Sequence, residues 1–320
     1  MRLVLLLVIA FAAWCGVPRH AQAETCTATA STVSFGSVSP ISNAPVTATG
    51  TVSVTCTWSA VSLTPSVLVC LNLGGTSPRS LVNGTNAMQY DLYLDGGHSI
   101  AWGSVYSGTT PASVTLAKPT LGTSASATVT VYGQITGNQP TVPTVGNSTT
   151  TYSQQFGGST TSINTGFYLL VAPTCASLTT SSGTFPFGAT ADVVNNCNIN
   201  ATNVSFGTAS VLTGTLAATG TITAQCTNGD AWKIALNGGG SGNVTARQMQ
   251  RSGGGGTIGY GLYTDAAHSI GWGDGTGGSA TVTGVGTGTS QVVTVYGAVP
   301  AQTTPAPGSY SDTITATISF

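Results

Sequence analysis

Charge is what this chain of 320 residues has least of: 7 basic and 8 acidic side chains, 5% of the sequence. Soluble globular domains ordinarily carry about 25%. No basic patch is present to neutralise phosphates, which argues against nucleic acid as a partner. No run of like charge is present to form a charge-driven tail. With so few ionisable groups, acid–base chemistry has little to work with. Amphipathic helical periodicity is missing, and so is any C-x-x-C pair of the kind that marks zinc or redox sites. After the first segment of the chain, no apolar run is long enough to span a bilayer, which takes about 20 residues.

What fills the space is glycine, 43 residues of it, together with dense Thr and Ser and a 41% hydrophobic content that suffices for a core. The apolar segment at the start, Leu3 through Ala13 behind Arg2, reads as a signal-peptide core, with Ala21-Gln-Ala23 as the cleavage site before Glu24. Trp14 before Cys15 is too large for a lipoprotein site. Cleavage leaves six cysteines: Cys26, Cys56, Cys70, Cys175, Cys197 and Cys226. An even count in an exported chain points to disulfides.

The sequence repeats itself. Tyr93, Asp95, His98, Ser99 and Trp102 recur as Tyr263, Asp265, His268, Ser269 and Trp272, each 170 positions later. Val131-Tyr132-Gly133 recurs as Val295-Tyr296-Gly297, Phe35-Gly36 as Phe206-Gly207, and Cys26 and Cys56 as Cys197 and Cys226. These are two tandem copies of one domain. The repeat suggests one bridge per copy, Cys26–Cys56 and Cys197–Cys226, and leaves Cys70 and Cys175 as a pair by elimination among many connectivities. Segments such as Thr221–Cys226, Trp232–Leu236, Val129–Tyr132 and Thr313–Phe320 alternate apolar with small or hydroxyl side chains. That is strand periodicity. Gly238–Gly242 and Gly253–Gly256 interrupt it as loops. The expected fold is all-β, two tandem β-sandwiches.

The string Tyr263-Thr-Asp265-x-x-His268-Ser269-x-x-Trp272-Gly-Asp274, followed by Val295-Tyr-Gly297, Pro300-Ala-Gln302 and Tyr310-Ser-Asp312, resembles the spore coat protein U domain, the pilin-like domain of archaic chaperone–usher pili. The second copy matches along nearly its whole length; the first departs after Gln134. The resemblance implies incomplete immunoglobulin-like sandwiches that lack a last strand. A periplasmic chaperone, then a neighbouring pilin subunit delivered through an outer-membrane usher, would supply that strand by β-augmentation. Cys26 follows the expected mature start closely, leaving no free donor strand, so the resemblance implies a subunit that accepts a strand at the fibre tip. Residues 24–175 are then an adhesive domain, 176–196 a linker and 197–320 the anchoring domain, after a leader over 1–23. The apolar segment 163–172 is a candidate for completing the first domain, tied by Cys70–Cys175; a buried linker between domains is the alternative.

The repeated Asp–His–Ser string invites a hydrolase reading through Asp265, His268 and Ser269. All three lie within five residues, whereas a triad converges from distant positions; a structural turn beside a Trp fits better. No catalytic or metal-binding residues and no cofactor are expected. Asp265, Asp274 and Asp312 are the acidic groups that would have to converge to hold a cation. Candidate adhesive loops of the first copy are Trp58 with Val61 and Leu63, then Ile41, Val46 and the stretch from Ile135 to Val145, where exposed apolar side chains would meet an abiotic surface or host ligand. At the C-terminus, Ile314, Ala316, Ile318 and Phe320 alternate to the last residue, and the resemblance makes this the strand that a chaperone grips. The expectation is a non-enzymatic subunit, exported through the periplasm to a cell-surface pilus and adhesive at its tip. Alternatives are a non-tip coat or pilus subunit and a surface hydrolase.

Overall fold

A computed structural model describes residues 24–320; the leader expected over 1–23 lies outside the described residues. The chain is almost wholly strand and loop. Its first part contains β1 (Thr25–Ala30), β2 (Val33–Val38), β3 (Val46–Thr57), β4 (Ser66–Leu73), β5 (Arg79–Asn83), β6 (Asn86–Tyr93), β7 (Ala112–Ala117), β8 (Ser124–Ile135), β9 (Thr150–Phe156), β10 (Thr161–Tyr168) and β11 (Phe187–Val193). The second part contains β12 (Cys197–Ala201), β13 (Leu216–Cys226), β14 (Ala231–Leu236), β15 (Arg247–Arg251), β16 (Thr257–Tyr263), β17 (Val282–Val285), β18 (Gln291–Val299), β19 (Tyr310–Ser311) and β20 (Ala316–Ser319).

Each part is a two-sheet sandwich. The first packs a sheet of order β1-β3-β8-β6-β5-β9-β11-β2 on one of order β10-β4-β7. The second packs β12-β13-β18-β16-β15-β19 on β17-β14-β20. Period 2 explains the layering. In β3, Val52, Val54 and Cys56 are buried while Thr51, Ser53 and Thr55 face outward. In β13, Ile222, Ala224 and Cys226 do the same between threonines and Gln225. A fully buried Trp crosses each core, Trp102 donating its indole N–H to Leu71 O (2.9 Å) and Trp272 to Ile234 O (3.1 Å).

Three disulfides tie the strands. Cys26–Cys56 and Cys197–Cys226 bond residues directly opposite each other in β1/β3 and β12/β13. Cys70–Cys175 clamps a short turn beyond β10 onto β4, across 105 positions of sequence.

Two expectations about the middle of the chain need correction. Residues 163–168 do not complete the first domain as an added strand. They form most of β10, which pairs along the full length of β4 and matches β20 on β14 in the second domain. The completing strand is β11, from within the expected linker 176–196. It runs antiparallel to β9 and parallel to β2, with Phe187, Ala189, Ala191 and Val193 buried. Phe187 stacks on Phe156 (ring centroids 4.7 Å apart) and Trp102 (5.7 Å). An apolar aromatic face of that size cannot stay in a solvated linker.

The domains meet through a dock between the loop after β8 and the loop that joins β13 to β14 across the two sheets of the second domain. Thr144 N donates to Asn228 O (3.1 Å), Asn228 Nδ2 to Thr141 O (2.9 Å) and Ala231 N to Asn147 Oδ1 (2.6 Å). The Thr144 hydroxyl donates to the buried Asp230 carboxylate, and burial raises that carboxyl above its usual range. Gly288 lies flat on Pro140, where a Cβ would meet the Pro140 carbonyl oxygen at 1.7 Å.

Candidate functional site

Two features stand out against this frame, one in each domain. The first is a groove in the second domain. In the first domain Tyr90 donates its hydroxyl to Gln154 (2.6 Å) on β9; in the second, Tyr260 donates to Asp312 (2.7 Å) beside β19. β19 therefore stands where β9 stands. Burial pushes the Tyr260 hydroxyl above its usual range, which keeps it a donor. The counterpart of β2 is 204–209, which forms no strand, and no described strand lies between it and β19. The side chains there are open as a result. Val204, Phe206, Met249 and Ile314 are half-buried, whereas Val33, Phe35, Leu81 and Phe156 at the matching places are buried. An apolar cleft flanked by unpaired backbone is a template for an added strand.

The C-terminal residues border this cleft. Ile314, Ala316 and Ile318 alternate on the half-buried face, and among the described residues β20 pairs only with β14, Ile318 opposite Ile234. Phe320 is 48% exposed.

The second feature is the pole of the first domain away from the second. Ser66, Ala117 and Tyr168 align there at the ends of β4, β7 and β10. The loops that leave these strands, 58–65, 118–123 and 169–174, therefore emerge side by side. Their tips carry Val61, Leu63, Leu121, Leu170 and Val171, all between 83% and 91% exposed. Their bases are rigid. The Trp58 side chain is buried and meets Phe167 edge-on at 6.0 Å, and the Trp58 backbone N–H donates to Thr123 O (2.7 Å). Lys118 turns its ammonium back onto Ser59 O (2.8 Å) and Ala60 O (2.7 Å), which ties the 58–65 loop to the 118–123 loop. Cys70–Cys175 holds the third loop.

Sequence reasoning found only part of this cluster. Val61 and Leu63 are at a tip, but Trp58 anchors the loop base. Ile41 and Ile135 are buried in the first domain, and Val46 is a half-buried strand residue opposite Ile135. The stretch after Ile135 docks onto the second domain. Leu121 and Leu169–Val171 were missed. Lys118-Pro-Thr-Leu121-Gly carried a turn signal, while Leu169–Val171 read as the end of an apolar strand.

The Asp–His–Ser strings are turn locks. Asp95 accepts from Ser99 N (3.0 Å), the Ser99 hydroxyl (2.9 Å) and Ile100 N (2.8 Å); Asp265 accepts from Ser269 N (3.1 Å), the Ser269 hydroxyl (2.7 Å) and Ile270 N (2.7 Å). The Ile100 and Ile270 amides are the largest cause holding both carboxyls below their usual range. The histidines sit at positive φ (54° and 53°) with their rings edge-on to Tyr93 and Tyr263. Each serine hydroxyl is thus committed to the aspartate, not to the imidazole. Asp265, Asp274 and Asp312 serve three separate local networks, Asp274 with Thr276 and Asp312 with Gly240 and Tyr260. They do not converge on one point.

The Spore Coat Protein U domain model matches this chain twice, over residues 16–153 and 183–317. The chain belongs to that family. Among solved structures, the chain is similar to the CsuC–CsuE chaperone–tip adhesion subunit complex of archaic Csu pili from Acinetobacter baumannii, at 17% identity and a TM-score of 0.50, over 92% of this chain and all of that one. It is also similar to CfaE, the adhesive subunit of CFA/I fimbria of enterotoxigenic Escherichia coli, at 8% identity and a TM-score of 0.32, over 91% and 92% of the two chains. A comparison with curated proteins returns no significant match. The likeness to the chaperone–tip adhesion subunit complex is one of fold.

Proposed function

We propose that this chain is the tip adhesin of a chaperone–usher pilus, exported through the periplasm to the cell surface. The first domain, from residue 24 through β11, presents the adhesive loops. The second domain accepts a strand, first from a periplasmic chaperone and then from the neighbouring pilin, and so anchors the first to the fibre. One observation carries the reading: the first domain's groove is filled from within the chain by β11, while the equivalent groove of the second domain is open. A chain with one open acceptor and an apolar cluster at the opposite pole fits the end of a fibre.

The loop tips explain the adhesive part. Burying a fully exposed Leu or Val side chain contributes about 1.5–3 kcal/mol, and the five tip side chains themselves are uncharged and need no ion desolvated. The fitting ligand is an apolar surface. No enzymatic role is proposed, because both serines are hydrogen-bonded to the aspartates that lock their turns.

Two measurements test the reading. Sheared fibres and periplasm should yield the chain bound to a pilin and to a chaperone respectively. Piliated cells should adhere to polystyrene, and a Val61→Ser, Leu121→Ser, Leu170→Ser triple variant should lose that adhesion while fibres still assemble. Unchanged adhesion by the triple variant would refute the loop cluster as the binding surface.

A further inference from the structure

β11 sits in one domain but belongs by sequence to the other. Only residues 194–196 separate it from β12, the first strand of the second domain, and the second family match begins at residue 183, ahead of β11. The second copy thus lends its own N-terminal extension to the first. Residues 181–193 run along β10 and β9 in turn: Gly183 bridges Ile163, Phe187 pairs with Phe156 and Val193 with Thr150.

We propose that this internal junction is a fused copy of the joint the second domain makes with the next subunit. The strand entering the second domain then repeats the pattern of β11: a large apolar residue, two small ones and a β-branched one at alternate positions. It runs antiparallel to β19 and parallel to 204–209. The occupant is the N-terminal extension of another subunit of this family. This rests on the acceptor reading above and adds the side-chain rule.

The two grooves have the same floor. Phe35 meets Tyr90 edge-on at 5.8 Å, and Phe206 meets Tyr260 edge-on at 6.2 Å. Phe35 lies over Gly133, where a Cβ would be 2.7 Å from its ring, and Phe206 lies over Gly297, where a Cβ would be 2.9 Å away. Tyr90 reaches Gln154, the residue paired with Ala189, and Tyr260 reaches Asp312, the counterpart of Gln154. The aromatic pair therefore fills the space beneath the middle of the strand and leaves room there for a methyl group. At one end, Ile314 replaces Phe156 and Trp272 replaces Trp102, so a large apolar side chain again has an apolar seat.

The test uses the purified mature chain and a fluorescent peptide of residues 183–195. The chain's own β11 occupies the first domain's groove intramolecularly, so the peptide reports on the second. The peptide is expected to bind saturably, and a peptide with Ala189→Leu and Ala191→Leu to bind at least tenfold more weakly, because overpacking a filled site is costly. Register is read by cross-linking. A peptide with Thr190→Cys should form a disulfide with a Ser311→Cys chain and not with a Ser309→Cys chain, since Thr190 pairs with Ser153, the counterpart of Ser311. Equal binding of the two peptides, a different register, or no peptide binding while a pilin still co-purifies from fibres would each overturn the side-chain rule and leave the acceptor reading intact. If neither peptide nor any pilin joins the second domain, the acceptor reading itself fails.

Discussion

Phe187→Ala is the perturbation that most directly probes how the first domain is closed. Phe187 is 6% exposed and stacks against Phe156 and Trp102. Truncating a buried Phe costs about 3–5 kcal/mol, because the transfer energy is lost and the cavity collapses only partly. The loss of two aromatic contacts places it toward the upper part of that range. At about 4 kcal/mol, the unfolding midpoint of a domain this size falls by on the order of 10–15 °C. The assay is differential scanning calorimetry of the mature chain, with the transitions assigned by the intrinsic fluorescence of Trp→Phe variants in each domain. The first domain's transition should drop by that amount, and the second's, whose core is a separate cluster, should move little. Asp192→Ala is the control. Its carboxylate accepts only from the exposed Thr151 hydroxyl (2.7 Å), so it should cost about 1 kcal/mol or less. A Phe187→Ala loss no larger than the control's would refute β11 as an integral strand of the first domain and restore 176–196 to a linker.

Other consequences can be measured separately. Each single tip substitution, such as Leu170→Ser, should weaken adsorption to an apolar surface by about tenfold with an unchanged melting profile, as the burial of one side chain implies. Deleting Phe320 should abolish co-purification with the periplasmic chaperone while circular dichroism shows a retained β fold; an intact complex would remove this residue from recognition. The Asp230 carboxyl is raised by burial at the domain junction, which favours its protonated form when the domains are docked. Its contribution is therefore complete below the ordinary carboxylate range and is lost as pH rises through the raised value. The junction should resist proteolysis better at about pH 4 than at about pH 7, and Asp230→Asn should flatten that dependence.

Much of this was legible in the chain. Alternation in β3 and β13 is a local property, because successive side chains of a strand face opposite sides whatever surrounds them. The repeat of Tyr93 through Trp102 as Tyr263 through Trp272 announced two copies of one domain, and composition argued against nucleic acid as a partner. The tertiary structure decided the rest, since an apolar side chain in a loop reads the same whether it faces a core or water. Trp58 and Leu63 are five positions apart; one is sealed beneath a loop and the other stands at its tip. Leu121 and Leu170 join Leu63 only because β7 and β10 end level with the start of β4. β11 was hidden for a related reason. Its partners β2 and β9 lie far away in sequence, and no local pattern records a pairing made at that distance. The sequence alone therefore determined that two sandwiches would form with scarcely any charge between them. Only the folded chain determined which groove is filled, which stays open, and where the apolar surface gathers.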